Sequence, residues 1–166
     1  MNTFWNYFWP CFAAGIVAGV IAGVIAFHRG ARRKRVLAIG VIASLALAAL
    51  WHGPIGGADR LERKVDRNVK EVLAYYEMPQ VTGHLHRGPL SRRLVLSGPA
   101  DDFQRSELVR LLNQLPGVRE TVWTSDGGGL PLIVEGLGVA LLGFLFGLLL
   151  AYLIELHRRY NAQWNW

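Results

Sequence analysis

The sequence contains a single cysteine, Cys11, which lies inside an apolar segment. One cysteine excludes an intrachain disulfide and a cysteine-based metal site. The chain also lacks a glycine-rich phosphate loop, a nucleophile elbow and an HExxH motif, which are the local patterns of three large enzyme classes. We therefore expect a protein that is not an enzyme, with no catalytic residue, no metal and no cofactor.

Charged side chains are missing from three long apolar segments, at residues 4–27, 36–51 and 136–154. The first and third are long enough to cross ~30 Å of hydrocarbon as helices, and the second is slightly short. No ionisable residue lies near the centre of any segment. Because such residues mark ion paths and proton relays, their absence argues against a pump or channel formed by this chain alone.

Positive charge is abundant, with a formal net charge of +6, but it is unevenly distributed. Residues 52–131 are almost neutral, so the basic patch that a nucleic-acid-binding module needs is absent, and we expect no nucleic-acid partner. The excess falls at Arg158 and Arg159 and in a basic cluster of Arg29, Arg32, Arg33, Lys34 and Arg35. These residues are expected to fix the topology and to contact anionic lipid headgroups.

The basic cluster predicts which segments lie on each side of the membrane. Lys and Arg in short loops stay on the cytoplasmic side, so the amino terminus and the long middle region face outward. Trp5, Trp9 and Trp51 fall at the predicted outer helix ends, where aromatic rings favour the headgroup layer. The predicted divisions are a first membrane helix at 1–28, a loop at 29–35, a second helix at 36–52, an extracytosolic module at 53–130, a third helix at 131–156 and a tail at 157–166.

Small residues recur every four positions in the apolar segments. Such rows let helix backbones approach closely, which is the main source of helix association in lipid. They predict packing either between the chain's own helices or with another membrane subunit or a second copy of this chain. The predicted packing residues are Gly15, Ala18, Gly19, Ala22 and Gly23 in the first segment, Gly40 and Ser44 in the second, and Gly143 and Gly147 in the third.

The middle region predicts a small α+β domain. After a Gly–Pro breaker, Asp59 is placed to cap an amphipathic helix whose apolar stripe includes Leu61 and Tyr76. Two strands, at 81–86 and 92–97, follow. A second helix then opens at Asp101 and Asp102, and a third strand covers 118–124. The predicted fold class is an α-helical integral membrane protein with three transmembrane helices and an inserted domain of order α-β-β-α-β.

Two short motifs in this region give it a family resemblance. The strand ending Leu94-Val95-Leu96-Ser97-Gly98, and Leu115-Pro116-Gly117-Val118 at the end of the second helix, resemble the BON domain over residues 58–125. The family pattern has a valine where this chain has Thr121, and its valine here is Val122. The resemblance implies a bacterial envelope protein, with the module in the periplasm and the helices in the inner membrane. It implies phospholipid or protein contacts and carries over no catalytic residue.

The predicted hairpin carries the residues most suited to contact a periplasmic ligand. His84 and His86 lie two apart on one strand face, where they could share a metal or remain solvated. Three arginines lie nearby and could meet lipid headgroups or an acidic partner. The candidate contact residues are His84, His86, Arg87, Arg92 and Arg93.

Two functions remain from these patterns. The first is a non-catalytic accessory or scaffolding subunit of an inner-membrane complex, respiratory or photosynthetic in type, which docks through small-residue helix faces and the module. The second is an envelope-homeostasis protein whose module binds phospholipid. The expected partners are membrane lipids and other integral membrane subunits.

Overall fold

The computed structural model describes residues 3–29, 32–124 and 129–162, and the side chains at positions 3, 29 and 162 are not described. Part of the predicted basic loop, including the Arg29 side chain, and residues 125–128 lie outside the described residues. The chain forms two compact units. One, here called the module, comprises Met1–Tyr7 and Gly56–Glu135, and the other, the bundle, comprises Phe8–Ile55 and Gly136–Trp166.

Three long helices supply the bundle: α1 (Thr3–Arg29), α2 (Arg33–His52) and α5 (Leu132–Ala162). Each contains a stretch that is long and apolar enough to cross a membrane. α5 continues past the boundary predicted at residue 156, because Glu155, Arg158 and Arg159 form ion pairs along its last turns. The chain is therefore an α-helical protein suited to membrane association.

Helices α1 and α5 approach each other closely along their glycine rows. A β-carbon added to Gly15 would overlap the carbonyl oxygen of Ala140, and one added to Gly19 would overlap that of Phe144. From the other side, a β-carbon on Gly143 or Gly147 would overlap backbone atoms of α1. Main chain therefore packs directly on main chain, the arrangement that small residues permit in lipid.

Helix α2 joins the pair through its own small row. Gly40 lies against the methyl group of Ala22, and the buried Ser44 hydroxyl donates a hydrogen bond of 3.2 Å to the carbonyl oxygen of Ala140. Ala18, Ala22 and Phe144 form one buried cluster of the bundle. The small-residue rows of α1, α2 and α5 thus contact one another within the bundle.

The module contains two helices and a three-stranded sheet. Its elements are α3 (Gly57–Tyr75), β1 (Thr82–Arg87), β2 (Leu90–Ser97), α4 (Asp102–Leu112) and β3 (Glu120–Val122). The strand order is β1-β2-β3, with β1 antiparallel and β3 parallel to β2. One face of the sheet packs on the apolar stripe of α3, where Leu61, Val65, Val69 and Leu73 are buried.

The register places Thr121 in the core. Leu94 pairs with Thr121 and with Leu85, so these three side chains share the buried face. Val122 pairs with Val95 on the opposite face. The strand thus directs a threonine toward the interior, and the Thr121 hydroxyl is buried with no hydrogen-bond partner among the described residues.

The two helix starts of the module differ. Asp101 caps α4, accepting a hydrogen bond of 2.7 Å from the amide of Gln104, whose side chain in turn accepts from the amide of Asp101. The cap predicted at Asp59 is wrong, because α3 begins at Gly57 and its capping residue is Gly56, which has a left-handed backbone conformation. Asp59 instead lies in the first turn, where its charge still suits the helix dipole.

Candidate interaction sites

The histidines of the predicted hairpin do not form a metal centre with other described residues. His84 is exposed, and His86 Nδ1 lies 3.5 Å from the carbonyl oxygen of Pro89. Within residues 3–29, 32–124 and 129–162, no group of three His, Cys, Asp or Glu side chains could hold a metal ion.

The hairpin arginines are each engaged with a carboxylate of the module. Arg87 Nε donates to Glu62 at 2.6 Å, and this hydrogen bond raises the pKa of Arg87 above its usual value. Arg92 forms a two-pronged ion pair with Glu135, at 2.6 and 3.2 Å. Arg93 lies 3.9 Å from Glu120. Arg87 remains largely exposed despite its ion pair, with 72% of its side chain accessible, whereas the Arg92 and Arg93 side chains are 15% and 16% exposed.

Asp66 occupies an unusual position beside the Arg87 pair. Its carboxyl is partly buried, and Oδ1 has no hydrogen-bond partner among the described residues. Burial, reinforced by the neighbouring Glu62, raises the pKa of Asp66 above its usual range, while Arg87, Lys70 and His84 oppose the shift. The raised pKa of Asp66 therefore reflects chiefly the partial burial of its carboxyl.

An ion cluster of Arg92, Arg119 and Glu135 joins strand β2 to the first turn of α5. Arg119 Nη1 lies 3.4 Å from Glu135, whose other oxygen accepts from Arg92. The Arg92 guanidinium also lies over the ring of Phe4, 5.1 Å from its centroid. The Arg92 and Glu135 side chains are only 15% and 11% exposed. This cluster, here called the junction cluster, holds the ends of both flanking helices to the module.

An aromatic groove opens between α3 and α4. Its apolar floor is formed by Val72, Leu111 and Leu115, and Tyr75 and Tyr76 stand at its rim with their rings in edge-to-face contact at 5.2 Å. The groove encloses about 420 Å³. Tyr75 is 81% exposed and Tyr76 46%. The inward position predicted for Tyr76 is therefore wrong, because α3 ends at Tyr75 and Tyr76 no longer continues the buried stripe.

The predicted lipid and topology residues lie at the surface. Arg32, Arg33, Lys34 and Arg35 are all exposed, and Arg33 packs over the ring of Phe27, 5.0 Å from its centroid. Trp5 and Trp9 are about half exposed. Trp51 instead packs partly against a buried cluster that includes Cys11, Ala48 and Ala140.

Sequence reasoning missed the junction cluster and the groove. Nothing local in the sequence relates Glu135 to Arg92, which lies 43 positions away. The adjacent tyrosines at the end of an amphipathic helix were the one available signal for the groove.

Comparison of the chain with protein families, with curated proteins and with solved structures finds no match. The assignment of function therefore depends on the residues and geometry described above.

Proposed function

We propose that this chain is a non-catalytic accessory or scaffolding subunit of a protein complex in the inner membrane of a bacterium. In this proposal the three apolar helices span the membrane and the module lies in the periplasm. The exposed basic residues just before and at the start of α2 support that orientation, since short basic segments between membrane helices remain cytoplasmic. The resemblance of the module to BON domains supports an envelope location.

The observation that carries the proposal is the aromatic groove. Tyrosine is enriched at protein interfaces because it buries a large rigid surface and keeps a polar tip, and anchors of this kind supply much of the binding energy. The groove places two tyrosines beside an apolar floor on an otherwise charged helix pair. A module surface of this composition is suited to a protein partner.

The shape and charge of the groove indicate what the partner presents. A furrow between two helices accepts the apolar face of a third, as in other helix-in-groove complexes. Glu71 lines the groove, is exposed, and forms no ion pair with the described residues. We infer an amphipathic helix of a membrane-anchored partner, with its apolar side on Val72, Leu111 and Leu115 and a basic residue opposite Glu71.

The small-residue rows have a different role in this proposal from the one that sequence suggested. They are occupied by contacts within the bundle, so the module rather than these rows provides the docking surface. The alternative function, phospholipid binding through Arg87, Arg92 and Arg93, is disfavoured because each of these arginines has a carboxylate partner.

The proposal is tested by purification from native membranes in mild detergent. The wild-type chain should elute as a complex of fixed stoichiometry, and the double variant Tyr75→Ser/Tyr76→Ser should elute without the partner. Phe103→Ser is the matched control, because Phe103 is 75% exposed on α4 and does not line the groove.

A charge variant makes the test specific to the inferred helix. Glu71→Lys should weaken the complex by about tenfold through repulsion of the partner's basic residue. Retention of the partner by the tyrosine variant, or equal loss in Phe103→Ser, would contradict the groove as the docking surface.

A further inference from the structure

The excess positive charge of the whole chain is concentrated in the bundle. The bundle segments contain seven basic residues, at positions 29, 32–35 and 158–159, and a single acidic residue, Glu155. Subtracting these from the 18 basic and 12 acidic residues of the chain leaves 11 of each, so the net +6 resides entirely here. This end of the bundle is therefore the part of the chain that most favours anions.

A cavity of about 340 Å³ lies at this end, among α1, α2 and α5. Its lining includes the apolar or aromatic residues Ala26, Phe27 and Tyr152. It also includes the charged residues Arg33, Glu155 and Arg159. A half-apolar, half-basic cavity at the end of membrane-spanning helices has the composition of a site for a lipid headgroup.

The charges around the cavity are not neutralised within the described residues. Glu155 is shared by Arg158 and Arg159, at 3.5 and 3.0 Å. Arg158 also contacts His28 Nδ1 at 3.0 Å. Arg33 lies over the ring of Phe27 and has no carboxylate partner among the described residues. Glu155 thus serves two guanidinium groups, and Arg33 has none of its charge paired among the described residues, which leaves donors available for an additional oxyanion.

We propose that this cavity binds the phosphate of an anionic glycerophospholipid, held by Arg33 and Arg159. The apolar wall and the helix surface beyond it argue for a lipid over free phosphate. Tyr152 and Leu156 line the cavity and are each about half exposed, so an acyl chain can leave the cavity along the outer surface of α5. The proposal is independent of the accessory function, since it requires only that the bundle lies in a bilayer.

Native mass spectrometry of the full-length chain in detergent micelles tests the site. Phosphatidylglycerol and phosphatidylcholine of equal chain length are titrated separately, and single-lipid adducts are counted. Wild type should retain phosphatidylglycerol preferentially. Arg33→Gln/Arg159→Gln should lower its affinity by roughly 30-fold, because each cation near a lipid phosphate contributes about 1 kcal/mol, which is about fivefold.

Lys34→Gln/Arg35→Gln is the matched control. It removes the same two charges from the same end of the bundle, but neither residue lines the cavity. Its affinity should fall by less than about threefold, since exposed charges outside the site are screened. Equal losses in the two double variants would show diffuse attraction and overturn the proposal, as would equal retention of both lipids by wild type.

A gain-of-binding variant excludes misfolding as the cause of any loss. Glu155→Gln removes the carboxylate that competes for Arg159, so phosphatidylglycerol should bind about fivefold more tightly. Weaker binding by this variant would contradict the assigned roles. Inorganic phosphate added at the lipid concentration should leave the adducts intact, and displacement by it would show a free-phosphate site instead.

Discussion

At the scale of single residues, the junction cluster is the most consequential contact of the module. Arg92 and Glu135 are largely withdrawn from solvent, and Arg119 and the Phe4 ring complete the surroundings of the pair. A buried ion pair adds little net stability over an apolar replacement, but removing one partner leaves the other charge buried. The cluster therefore makes the module sensitive to change at a position outside its own sheet and helices.

Glu135→Gln should destabilise the module by about 2–4 kcal/mol, because the Arg92 guanidinium keeps its burial and loses its carboxylate. Hydrogen exchange of the β2 amides, followed by mass spectrometry, measures the local free energy of opening. The matched control is Glu107→Gln, which breaks the exposed pair with Arg110 and should cost less than about 0.5 kcal/mol. Similar exchange rates in the two variants would show that Arg92 is solvated after all.

At the scale of secondary-structure elements, backbone contact between α1 and α5 dominates the bundle. Gly19 and Gly147 leave no room for a methyl group, whereas Gly138 on α5 has no atom within 4 Å of an added β-carbon. Glycines of the same helices thus differ sharply in what they tolerate. Helix propensity favours alanine over glycine equally at all of these positions, so different effects of the same substitution report the packing at each one.

Gly19→Ala should destabilise the bundle by about 1–3 kcal/mol, because the new methyl group forces α1 and α5 apart. Gly138→Ala should be neutral or slightly stabilising, since alanine is the better helix former. Thermal melting of the purified proteins in the same detergent, followed by circular dichroism, ranks the stabilities of the two variants and the wild type. A Gly19→Ala protein as stable as Gly138→Ala would contradict the close α1–α5 contact.

The elements that sequence predicted are those whose signals are local. The three apolar segments, the capping aspartate at 101 and the buried stripe of α3 each follow from residues within one or two turns. The helix cap predicted at Asp59 is wrong because a glycine in the left-handed conformation can precede a helix without a side-chain cap. The groove depends on how α4 packs beside α3, and the junction cluster depends on a pair of residues far apart in sequence. Neither contact can be predicted from neighbouring residues.

At the scale of the whole molecule, the proposed orientation makes a prediction that cysteine labelling can check. Cys11 is buried and is the single cysteine of the chain, so replacing it by serine gives a silent background. A cysteine placed at Phe103 should then react with a membrane-impermeant maleimide in intact cells. A cysteine at Lys34 should react only after the inner membrane is permeabilised.

The reverse labelling pattern would show that the module lies in the cytoplasm. It would contradict the periplasmic location and the proposed periplasmic partner. The proposed lipid site at Arg33 would still stand, but in the other leaflet. The two proposals can therefore fail separately.

The opening turn of α1 belongs to the module, together with the start of α5. A soluble fragment trimmed to the family-like segment, residues 58–125, would omit Phe4, the buried Leu132 and Glu135. In that fragment the Arg92 guanidinium would lose its carboxylate partner, and the local structure of β2 would have to change to solvate it. A soluble fragment for crystallisation or binding assays should therefore keep the first turn of α1 and the first turn of α5. A short artificial linker would replace the rest of α1 and α2.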